Sequence, residues 1–262
     1  MGKRPNLLFL VVAVSLLIAP QGVKAEILHV PDEYATIQFG IAGADPGDTV
    51  LVDPGLYSER IDFLGKGIVV GSRFVTTGDP SWISATIIDP TAAGTSGPAV
   101  TFSQGESPSA ILQGLTIQNA VASVGAGIFC RDASPQILDN YICYNRATES
   151  GGGIYDSLGG PNISRNRIFG NSAVNMDGGG IWALYASPTI SRNEVYDNRS
   201  GFRGAGIYCE HSLPTISDNI IHDNVNADYY AGGIASRNCM SIITGNTIYR
   251  NEGGDYGGGI FY

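Results

Sequence analysis

Gly151-Gly152-Gly153-Ile154 is followed by Gly178-Gly179-Gly180-Ile181, and this four-residue signal keeps returning along the chain. Its isoleucines are Ile128, Ile154, Ile181, Ile207, Ile234 and Ile260, at intervals of 26, 27, 26, 27 and 26 residues. Alanine replaces one glycine at Ala126, Ala205 and Ala231. A fixed period of this size makes the fold a stack of one repeated unit, because no single unit can bury its own apolar face.

Outward from the anchor, each unit carries further marks. One asparagine recurs at Asn140, Asn166, Asn193, Asn219 and Asn246. Another recurs at Asn145, Asn171, Asn198, Asn224 and Asn251, with Asn119 read as its copy one coil earlier. Glycine and asparagine both tolerate positive φ, so both are expected at tight stacked corners. Asparagine copies one coil apart are also expected to bond amide to amide. Ile137, Ile163, Ile190, Ile216 and Ile243 form one aliphatic ladder, and Ile142, Ile168, Val195, Ile221 and Ile248 a second. The anchors make a third. Three inward ladders predict an all-β parallel solenoid of three sheets, with 26–27 residues per coil, over residues 49–262.

Residues 26–48 read as an opening strand and a capping helix. Asp32 is its expected N-cap, with Tyr34, Ile37 and Ile41 on one face. Thr49 to Val52, Arg60 to Phe63 and Gly67 to Val70 read as strands, and Arg73 to Gly97 as an irregular loop. The chain stops two residues after the sixth anchor, which leads us to expect a C-terminally incomplete stack.

Residues 1–25 read as a cleavable export signal. Lys3 and Arg4 precede an apolar run from Leu7 to Ile18, and Val23-Lys24-Ala25 supplies a small-residue cleavage site. The run is too short for a membrane span of about 20 residues, and no later run is longer. The expected location is secreted, periplasmic or at the cell surface. Removing Lys3, Arg4 and Lys24 from 15 basic residues leaves 12 against 24 acidic ones, a net charge of −12. Such a surface repels nucleic acid. Cys130 and Cys209 share a repeat position three coils apart, roughly 14 Å, beyond disulfide reach. Four free thiols are expected, with Cys143 and Cys239 the other two.

The stretch Val30-Pro31-Asp32-Glu33-Tyr34, then Gly47-Asp48-Thr49-Val50-Leu51-Val52 and Pro54-Gly55-Leu56-Tyr57, together with the repeat, resembles the right-handed parallel β-helix proteins of the pectin-lyase-like superfamily. That resemblance implies fold over nearly the whole chain. It leaves function between polysaccharide-active enzymes and non-catalytic surface proteins. The repeat pair is also partly similar to that of polymorphic outer-membrane proteins, whose passengers are adhesins. That family prefers phenylalanine where this chain has Ile or Val.

Three sets of residues are candidates for chemistry. Phe129, Tyr155, Trp182 and Tyr208 each follow an anchor, and Phe261 resumes the row after a gap at Ala235. Strand alternation turns them outward, where rings about 4.8 Å apart could stack on sugars or on one another. Phe169, Tyr196, His222 and Tyr249 form a second such row. Asp139, Arg165, Arg192 and Asp218 share one register. Arg165, Arg192 and Asp218 are the catalytic candidates for a polysaccharide lyase, which needs a cation against a uronate and a base. The competing reading is of simple cross-strand ion pairs. Asp197 and Asp223 share another register and are the candidate ligands for calcium, although two repelling, solvated carboxylates are the simpler reading. No other cofactor is implied. The regularity of the coils favours an exported, non-catalytic scaffold for adhesion or glycan binding. A lyase, hydrolase or epimerase on uronate-containing polymers is the alternative.

Overall fold

The computed structural model describes residues 24–228, 230–255 and 257–262. Most of the expected export signal, residues 1–23, lies outside the described residues. No helix among the described residues is long and apolar enough to cross a membrane.

Each coil repeats the same path. Gln136–Leu138 enters the first sheet and Tyr141–Cys143 the second. Arg146–Ala147 enters a short fourth sheet and Ile154–Ser157 the third. Every strand pairs in parallel with its copies one coil away, so Ile137 lies between Leu112 and Ile163, and Ile142 between Ile117 and Ile168. The first sheet has nine strands, the second and third eight each, and the fourth five. The fourth sheet departs from the three expected. Its inward position holds Ala122, Ala147, Ala173, Ser200 and Asn226, all buried. Residues this small form a ladder without leaving an aliphatic signature.

The three isoleucine-rich ladders are the core. Ile137, Ile163, Ile190 and Ile216 are fully buried, as are Ile142, Ile168, Val195 and Ile221 and the anchors from Ile128 to Ile234. Each such side chain contributes about 1.5–3 kcal/mol of burial. The glycine motif makes this approach possible. Gly151 and Gly178 have φ of +66°, and a Cβ on Gly153 would lie 2.5 Å from the carbonyl oxygen of Gly180.

Two continuous amide ladders run beside the core. Asn193 Nδ2 donates to Asn219 Oδ1 (3.0 Å) and to the Ile163 carbonyl (2.9 Å), while its Oδ1 accepts from Asn166 N and Nδ2. The second ladder repeats this from Asn145 to Asn251. Two details correct the sequence reading. The left-handed corner residue is the one before each asparagine, such as Asp139, Arg165, Arg192 and Asp218, with φ of 54–58°. Asn119 belongs to this corner set rather than to the ladder. It matches Tyr144, and the register of Asn145 falls on Ala120.

The capping helix is shorter than expected. It spans Ile37–Gly43, and Thr36 rather than Asp32 caps it, accepting from Phe39 N. Asp32 lies in the preceding turn. Ile37 and Ile41 are buried against the end of the stack. The excursion after Arg73 is not structureless: it holds helices Phe74–Thr77 and Ser81–Ala85, strand Thr86–Ile88 and a 3-10 turn at Pro90–Ala93. All four cysteines are free.

Candidate functional site: a groove along the third sheet

The outer face of the third sheet carries a lengthwise groove. Three cavities of about 440, 370 and 420 Å³ meet end to end along it. The first two share Val124 and Phe129, and the second and third share Leu184 and Tyr185. Strand alternation produces this face. In Ile154–Ser157, Ile154 enters the core and Tyr155 faces out. Tyr155 pairs in register with Phe129 and Trp182, which places three aromatic rings along the groove.

The rings do not form a uniform platform. Phe129 and Tyr155 stack at 5.4 Å and 7°, so their faces cover one another. Trp182 meets Tyr155 at 63°, turned out of that stack. Its indole Nε1 is buried with no hydrogen-bond partner. Tyr208 does not join the exposed row. It is 0% exposed, its hydroxyl accepts from Arg203 Nη1 at 2.9 Å, and the Arg203 guanidinium lies over its ring. The preceding loop folds down and removes it from reach of a ligand.

At the Trp182 end the groove becomes charged. Arg203 Nη1 lies 3.8 Å from both Asp177 Oδ2 and Glu210 Oε1, so those two oxygens are no further apart than twice that distance. Arg237 Nη1 reaches Glu210 Oε1 at 2.8 Å. Asp177 is 5% exposed. Burial pushes its carboxyl up to about 6, with Arg203 pulling the other way. Asp177 Oδ1 and Arg203 Nε are buried without partners. None of these four charged residues was singled out from the sequence. The signal was nonetheless present. Asp177 and Arg203 each lie four residues before an anchor and bridge one another in parallel, and Glu210 and Arg237 each lie three after one.

The other candidates lie elsewhere. Asp139 accepts from Arg165 Nε and Nη2, both at 2.8 Å, so that pair is a bidentate ion pair at a corner between the first and second sheets. Arg192 forms no ion pair among the described residues, and the Asp218 carboxylate leans over Gly245, where a Cβ would meet it at 2.3 Å. Arg165, Arg192 and Asp218 line none of the groove's cavities. They stack on successive coils at that corner, apart from the groove.

Asp197 and Asp223 are likewise not an open carboxylate pair. Asp223 accepts from Arg250 Nε at 2.8 Å and Nη2 at 2.6 Å and lies 2.6 Å from His222 Nδ1. Those bonds, Arg250's first, hold its carboxyl down to about 2. The reading from sequence missed Arg250, which continues the same register. No cluster of three or more His, Cys, Asp or Glu among the described residues is placed to hold a metal. The second aromatic row, Phe169, Tyr196, His222 and Tyr249, is a continuous stack with ring separations of 4.8–5.1 Å and angles of 4–7°. Rings so arranged spend their faces on one another.

In comparison with known proteins, the family model described as right handed beta helix region matches residues 75–248. No curated protein and no solved structure matches the chain.

Proposed function

The chain belongs to the right-handed β-helix family, and we propose that it binds a polysaccharide lengthwise in the groove of its third sheet. We place it as an exported scaffold, with residues 1–25 as its signal. The observation that carries this is the three joined cavities, which follow the stack axis past Phe129, Tyr155 and Trp182. An extended polymer suits a trough of this kind better than a compact ligand does. Trp182 is the anchor of the reading, because its ring is turned out of the aromatic stack and aromatic faces pack against sugar rings.

The test is a titration of the full chain against a panel of neutral and acidic polysaccharides, followed by calorimetry. Trp182→Ala should weaken binding at least about tenfold while the far-ultraviolet circular dichroism stays unchanged. Equal affinity in the variant, or no binding to any glycan by the unaltered protein, rules the reading out.

One observation favours a second reading, glycoside hydrolysis. Asp177 and Glu210 are two carboxylates flanking one arginine, and the first of them is raised to about 6. A glycoside hydrolase needs a carboxylic acid as general acid and a second carboxylate as base or nucleophile. Release of reducing ends that disappears in Asp177→Asn, with binding retained, would establish it.

A further inference from the structure

We infer that Tyr185 is a sugar-binding residue and that, with Leu158, it forms a second wall of the groove beside the Phe129–Trp182 row. The inference rests on the glycan-groove reading and adds a contact that lies outside the aromatic row.

The corner after each third-sheet strand is the starting point. Asp132, Leu158, Tyr185, His211 and Asn238 occupy it on successive coils, all with φ of 50–59°. This left-handed conformation suits aspartate and asparagine and disfavours large side chains. Asp132 and Asn238 are therefore ordinary occupants, whereas Leu158, Tyr185 and His211 are not. The exceptions coincide with the groove. Leu158 lines its second cavity, Tyr185 its second and third, and His211 its third. Asp132 and Asn238 line none of the three. A disfavoured backbone conformation kept in a binding cleft points to function there.

Exposure leads to the same residues. Tyr185 is 58% exposed and Leu158 57%, so burial in the core accounts for neither. The Tyr185 ring stacks on His211 at 5.0 Å and 5°. One face is thereby covered and held in place, and the other looks back along the stack toward the coil of Leu158. Trp182 lines the third cavity with it, so a pyranose at the joint of the second and third cavities meets aromatic side chains from two sides. Tyr144 is the internal comparison. It has φ of 57° and is 59% exposed. Its ring lies over Gly170 at a different corner, where a Cβ would meet it at 2.8 Å, and it lines none of the groove's cavities.

The test compares the full chain with its Tyr185→Asn, Tyr185→Phe and Tyr144→Asn variants by calorimetry. Its probes are a cello-oligosaccharide, a chito-oligosaccharide and an oligogalacturonate. Asparagine already fills this corner at Asn238, so Tyr185→Asn should leave the melting midpoint unchanged or higher. The same variant should bind at least about tenfold more weakly. Tyr185→Phe keeps the ring and should stay within about twofold of the unaltered protein, as should Tyr144→Asn. The inference is overturned if Tyr185→Asn binds as the unaltered protein does, or if Tyr185→Phe loses as much as Tyr185→Asn. It is also overturned if Tyr144→Asn weakens binding equally, or if Tyr185→Asn lowers the melting midpoint, which would make the ring a packing element. Binding lost in Trp182→Ala but kept in Tyr185→Asn would leave the groove reading standing without this inference. If neither these oligomers nor any glycan of the panel binds, the groove reading itself falls, and this inference with it.

Discussion

Asp156 should destabilise the protein, and by more as the pH rises. It occupies the second position after an anchor, in register with Cys130 and Ala183 on the adjacent coils. Alternation within Ile154–Ser157 turns it into the core, where it is 0% exposed and neither carboxylate oxygen has a partner. Burial pushes its carboxyl from 3.8 up to about 8. The sign follows from which state holds the proton. Below the unfolded value both states are protonated and nothing is lost. Between pH 3.8 and about 8 the unfolded chain ionises while the folded one does not, so stability falls as pH rises. Each unit costs about 1.4 kcal/mol, which accumulates to roughly 4 kcal/mol at pH 7 and about 5–6 above pH 8. Alanine already fills the equivalent position at Ala183, so Asp156→Ala should cost only about 1 kcal/mol in lost packing. Urea unfolding should therefore find the variant near parity with the unaltered protein at pH 5 and more stable by about 4–5 kcal/mol at pH 9. A gap that stays constant across that range would refute the reasoning, as would a variant that is less stable at both ends.

Asn193→Ala should destabilise the stack by about 3 kcal/mol in denaturant unfolding, because it removes four buried hydrogen bonds and strands Asn166 N–H; an unchanged midpoint would mean that the amide ladder contributes nothing. Arg250→Ala should raise the titration midpoint of Asp223 from about 2 toward the ordinary carboxylate range, with His222 retaining part of the shift. The stability that this depressed carboxyl lends is present above its unfolded value and lost as pH falls through about 2. A carboxyl resonance of Asp223 that titrates identically in both proteins would contradict the assignment.

The parts of the fold that were legible in the sequence were those repeated in kind. The isoleucine ladders, the glycine corners and the amide stacks recur with fixed residue types, because parallel stacking places like on like. The fourth sheet was not legible, since its inward residues run from alanine to asparagine and share only small size. Neither was the true helix cap: Asp32 is the stronger N-cap by residue type, yet Thr36 holds the position. The groove was half legible. Alternation identified Phe129, Tyr155 and Trp182 as outward, but it could not reveal that Arg203 folds over Tyr208. The charged end was missed because Asp177 and Arg203 lie outside the regular strands and Glu210 sits two residues beyond the aromatic row.

Two buried carboxylates remain, and they show how chemistry should be assigned on a repetitive scaffold. A raised carboxyl is a common mark of a functional group. By that mark alone Asp156, at about 8, would outrank Asp177, at about 6. Their surroundings reverse the order. Asp156 points into a core ladder of Cys130, Ala183 and Cys209, where burial is the cause of its shift. Asp177 lines a cavity with Trp182, Arg203 and Glu210. The first carboxyl is neutral because nothing can reach it, so its protonation is purely a cost to folding. The second is held near its titration point by opposing influences, burial against Arg203, on a face where the repeat leaves side chains free to vary. In a solenoid the inward ladders are constrained by the stack, so a functional carboxylate belongs on the outer side of a strand or in the loop before it.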